Sequence, residues 1–130
     1  MKMKVILGSL LAMVAAGVAL ADEAPGSYEA AKAIWSRSRE SKDYQGYAAE
    51  FAQFNNHFHL DEKDGCYALA PGSVNLMLVI SQPKNSEFAV IDRVLADVAN
   101  AKARCFEKSY LGVQVKAPPF LPFVLQLGMK

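Results

Sequence analysis

Ser73-Val-Asn-Leu-Met-Leu-Val-Ile80 is the stretch on which the fold turns. Its side chains alternate, with Val74, Leu76, Leu78 and Ile80 to one side and Asn75, Met77 and Val79 to the other, and β-branched or long apolar residues dominate. A period of two with that composition is the signature of a strand. Downstream, Pro83, Lys84 and Asn85 mark a connection over residues 81–86. Residues 88–95 form a second strand candidate, with Phe88, Val90 and Val94 on the same side as Asp92. A helix is predicted over residues 97–109, where Val98, Ala101, Cys105 and Tyr110 fall near one face. Gly112 suits its C-terminal stop. Pro118, Pro119 and Pro122 then exclude helix, and residues 123–129 give a last strand, Phe123, Leu125 and Leu127 alternating with Val124 and Gln126.

Upstream of residue 73 the period changes to that of helices. Residues 28–39 place Tyr28, Ala31, Ile34 and Trp35 at helical spacing, and Ser27 can cap them by accepting from a first-turn amide. A second helix over residues 44–54, capped by Asp43, carries the aromatic stripe Tyr47, Phe51, Phe54 at i, i+4, i+7, which reads as a core face. A polar, acidic linker follows over residues 55–65. Strands and helices do not strictly alternate, so the expected class is α+β: N-terminal helices, then a small antiparallel sheet with one packed helix in the order β-β-α-β.

Residues 1–21 read as a cleavable secretory signal. Lys2 and Lys4 supply a positive start, residues 5–20 are uncharged, and Ala19-Leu20-Ala21 offers the small residues a signal peptidase admits before Asp22. The apolar run is shorter than a membrane span needs, so no stable anchor is expected after cleavage. What remains is a helical segment, residues 22–64, joined in one domain to an α+β region, residues 65–130. Taking Lys2 and Lys4 from a chain of formal charge +1 leaves −1, with no basic run, which argues against nucleic acid as a partner.

Cys66 and Cys105 are an even pair in an exported chain, the pattern of a disulfide. Such a bridge closes a loop of roughly 40 residues, worth about 4 kcal/mol on the chain-entropy account. His57-Phe58-His59 with Asp61, Glu62 and Asp64 is the stretch richest in chemical groups, and His57 and His59 would share a side in an extended chain. No regular element fixes a third ligand, and Lys63 stands where a calcium loop needs oxygen, so no metal and no cofactor are expected. No G-x-S-x-G, no phosphate loop and no catalytic constellation occurs.

Cys66-Tyr67, Pro71-Gly72, the strand from Val74 to Ile80, Cys105-Phe106 and Pro118-Pro119-Phe120-Leu121-Pro122-Phe123 together resemble the TonB C-terminal domain superfamily, in its two-cysteine variant, over residues 65–128. Lys84-Asn85 stands where that pattern has glycine, and no long proline-rich spacer is present. The resemblance implies a small sheet with an edge able to add a partner's strand, without energy transduction by this chain alone. The last strand, bracketed by prolines, is the expected edge, with Phe120, Phe123, Leu125 and Leu127 as contact residues; the alternative is that the rings pack inward under the helices. The expected function is an exported, noncatalytic binding or adaptor module, periplasmic or secreted, whose partner is another envelope protein. A secreted enzyme inhibitor and a metal-dependent protein using His57 and His59 are the competing classes.

Overall fold

A computed structural model of the protein describes residues 24–57 and 65–130. The proposed signal, residues 1–21, lies outside these, as do His59, Asp61, Glu62 and Asp64. The elements are α1 (Tyr28–Ser38), α2 (Lys42–His57), β1 (Val74–Ser81), β2 (Phe88–Ala96), α3 (Ala101–Tyr110), β3 (Gln114–Lys116) and β4 (Phe123–Met129). The fold is α+β. The four strands form one antiparallel sheet in the order β3-β2-β1-β4.

The alternation in β1 sorts two cores. Val74, Leu76, Leu78 and Ile80 belong to a large cluster with Tyr44, Tyr47 and Phe51 of α2 and Ala103, Phe106 and Tyr110 of α3. Met77 and Val79, with Val124, meet Ala31 and Trp35 of α1 on the opposite face. A central strand buried on both faces needs apolar residues at successive positions, as the run from Leu76 to Ile80 provides. The sheet is thus covered by α1 on one side and by α2 and α3 on the other.

Local chemistry sets the helix starts. The Ser27 hydroxyl accepts from the Ala30 amide at 3.2 Å, as expected. The cap of α2 is Ser41, whose hydroxyl accepts from the Tyr44 amide at 3.1 Å; Asp43 lies inside the first turn instead, where its charge suits the helix N-terminus. Asn100 caps α3 by accepting from Ala103 at 2.8 Å, so that helix begins four residues later than expected. Its buried face is accordingly Ala103, Phe106 and Tyr110, while Val98 and Ala101 are exposed and Cys105 sits at the flank, bonded to Cys66. Gly112 takes φ +83° just past the helix, the left-handed conformation glycine permits.

Two further differences have clear physical causes. In β2 the buried residues are Ala89, Ile91 and Val94, whereas Phe88 is exposed and Val90 half-buried. Val79 faces Arg93 and Ile80 faces Ile91, so Asp92 is an extra residue, a β-bulge. One inserted residue reverses the parity, so Ile91 and Val94 reach the same face across the bulge. The second difference is β3, a three-residue strand between α3 and β4 that pairs with the start of β2.

Candidate functional site

Cys66 and Cys105 form a disulfide with their Cα atoms 5.5 Å apart. A bridge of this kind belongs to an oxidising compartment outside the cytoplasm. Among the described residues no helix is long and apolar enough to cross a membrane. His57 closes α2 in sequence, and His59 falls outside the described residues. Among the described residues no group of three or more His, Cys, Asp or Glu side chains could hold a metal ion.

The last strand does lie at one end of the sheet, and its rings take the inward alternative. Phe123 and Leu125 are buried, and Phe120 and Leu127 are half-buried against the same core. Phe123 stacks on Tyr44 at 5.3 Å between centroids and meets Tyr47 edge-on at 4.7 Å. Burial, against smaller opposing contributions from Trp35, Gln126 and Arg39, raises the Tyr44 hydroxyl above its ordinary value.

At the other end of the sheet the arrangement differs. Tyr47, one turn further along α2, donates its hydroxyl to the Lys116 carbonyl at 2.6 Å. Ile91 N–H donates to Val113 at 2.9 Å, and Ala89 faces Val115 two residues on. Antiparallel alternation therefore turns the backbone groups of Gln114 and Lys116 away from β2. Tyr47 takes the Lys116 carbonyl; Gln114 carries its outward N–H and C=O at an exposed position.

Beside this edge, between β3 and the C-terminal half of α2, lies a cleft of about 520 Å³. Tyr47, Phe51 and Phe54 form its helical wall, and Phe88 and Val115 its sheet wall. Phe54 is 41 % exposed and Phe88 52 % exposed, which is unusual for phenylalanine. Glu50, Glu87 and Lys116 form the rim, where the Lys116 ammonium is 2.8 Å from Glu50. A smaller hollow of about 280 Å³, lined by Gly46, Ala117 and Pro119, continues beyond that ion pair. The two form a trough along α2 crossed by one exposed salt bridge.

Aromatic and aliphatic side chains make up the walls of the cleft. Burial, with the Glu50 carboxylate adding to it, pushes the Tyr47 hydroxyl up to about 12. It stays protonated and donating throughout the physiological range. The aromatic stripe had marked Tyr47, Phe51 and Phe54 as core; the structure buries the first two and lets Phe54 emerge into the cleft. Phe88 and the β3 edge carried no sequence signal, since the cleft is assembled from segments far apart in the chain. Compared with protein-family models, curated proteins and solved structures, the chain matches none.

Proposed function

We propose that the protein is an exported, noncatalytic binding module of the periplasm or extracellular space that takes an extended segment of a partner protein. Its recognition surface is the β3 edge together with the α2–β3 cleft. The observation that carries this reading is the juxtaposition of outward backbone groups at Gln114 with an apolar, aromatic-walled cleft. Strand addition uses both: main-chain hydrogen bonds supply affinity and side-chain hollows supply selectivity. The Glu50–Lys116 pair across the trough is exposed at both ends, so opening it costs a ligand on the order of 1 kcal/mol or less. The signal-like residues 1–21 and the Cys66–Cys105 bridge support export. The resemblance of residues 65–128 to TonB C-terminal domains motivates the same class of partner, another envelope protein.

The test is photocrosslinking. A benzophenone side chain at position 54 should capture one partner from envelope extract, and the crosslinked peptide should map to one extended segment. Gln114→Pro removes an outward N–H without breaking a bond to β2, so the variant should fold and lose that crosslink. Equal crosslinking by the folded Gln114→Pro variant would refute strand addition.

A further inference from the structure

We infer that the segment bound in the cleft presents a cationic side chain, lysine or arginine, to Glu87 and the exposed rings; this rests on the peptide-binding reading above. The rim charges decide the sign. Lys116 is committed to Glu50 at 2.8 Å, while Glu87 has no ion partner among the described residues. An incoming carboxylate would meet Glu87 directly and reach Lys116 only by breaking its existing pair. An incoming ammonium or guanidinium meets an available carboxylate.

The walls decide the chemistry around that charge. Phe54 and Phe88 are both partly exposed at the same cleft, and an aromatic ring attracts a cation through its quadrupole. A cation with an apolar stem fits both features: its methylene groups cover the rings and its charged end reaches the rim. The same fold uses this contact internally, with the Arg39 guanidinium 4.6 Å from the Trp35 ring centre and the Lys102 ammonium 5.6 Å from that of Tyr67. At near-zero net charge, long-range attraction contributes little, so the preference is set locally by Glu87 and the rings.

The experiment uses the exported, disulfide-bonded chain, isotope-labelled, and three capped pentapeptides of sequence Val-Thr-Xaa-Thr-Val with lysine, norleucine or glutamate at the centre. Amide shifts of residues 87–88 and 114–116 are followed on titration. The lysine peptide should bind about tenfold tighter than the norleucine peptide, with the glutamate peptide weakest. Glu87→Gln and Phe88→Leu, both at exposed positions, should each cut that preference to about threefold. Equal binding of lysine and norleucine peptides at the cleft would overturn the cation inference and leave the binding reading intact. Absence of cleft shifts with all three peptides would overturn both. Cleft shifts that follow protein concentration without peptide would assign the surface to a second copy of the chain, and would overturn both as well.

Discussion

Reducing the Cys66–Cys105 bridge should remove a large part of the protein's stability. The two residues are 39 apart in sequence, and the loop they close contains all of the β1–β2 hairpin. Confining a loop of that length lowers the entropy of the unfolded chain by an amount worth about 4 kcal/mol. A domain of this size has a net stability of about 5–15 kcal/mol, so the reduced protein should be marginal or only modestly stable. Trp35 is the single tryptophan and packs against both core clusters, so its fluorescence reports both layers in one urea titration. With a slope of about 1–2 kcal/mol per molar urea, the midpoint should fall by roughly 2–4 M on reduction. A Cys66→Ala/Cys105→Ala double variant should fall at least as far, because Cys66 is fully buried and its loss also removes packing. Oxidised and reduced midpoints within about 0.5 M of each other would show that the unfolded chain is already confined by other contacts, and the entropic argument would be wrong.

Alkaline pH gives a second expectation: Tyr47 and Tyr110 are both raised to about 12, chiefly by burial, above an ordinary value of 10.0. A folded pKa above the unfolded one means stability that is whole below pH 10 and lost as pH rises from there through 12, up to about 3 kcal/mol for each group. Unfolding midpoints measured from about pH 9 to about pH 11.5 should therefore fall, and less steeply in Tyr47→Phe. Lys102 is 2 % exposed and donates to the carbonyls of Gly72 at 2.5 Å and Lys130 at 3.1 Å. Lys102→Met keeps the stem and leaves both carbonyls without that donor, so thermal unfolding should show a loss of about 1–3 kcal/mol. Asn85 holds φ +61° in the β1–β2 connection; Asn85→Gly should change stability by less than about 1 kcal/mol, and Asn85→Val should cost about 1–2 kcal/mol in urea titration.

What the sequence discloses and what it withholds divide along one line, the range of the interactions concerned. The two-faced alternation of β1, the Ser27 cap and the Gly112 stop are local, and each is legible in a few residues. Asn85 belongs with them: beside glycine, asparagine is the residue that tolerates left-handed φ. The bulge at Asp92 is different, because nothing near it in sequence signals the insertion; it exists only relative to its partner strand β1. Gln114-Val115-Lys116 has a single apolar residue and is too short to show a period, so β3 is visible only through its pairing with β2. The cleft is less legible still, since Phe54, Phe88 and Val115 meet only after α2 and the sheet are placed.

The placement of α2 explains why the cleft lies where it does. Tyr44 and Tyr47 are three residues apart, one turn of helix, and reach opposite edge strands: Tyr44 stacks on Phe123 of β4, and Tyr47 donates to the Lys116 carbonyl of β3. The N-terminal half of α2 thereby holds the two ends of the sheet to one another, with Phe123 packed between the two rings. Past Phe51 the helix continues to His57 and stands off from β3, with Phe54 facing the gap. Had α2 stopped at Phe51, Phe88 and the Gln114 edge would have no opposing wall. Had it stayed in contact with β3 along its length, Phe54 would be buried and Gln114 covered. A helix fixed at one half and separated at the other leaves an edge strand walled on one side and accessible from the other. That geometry suits an extended peptide held by main-chain bonds on one flank and by aromatic side chains on the other.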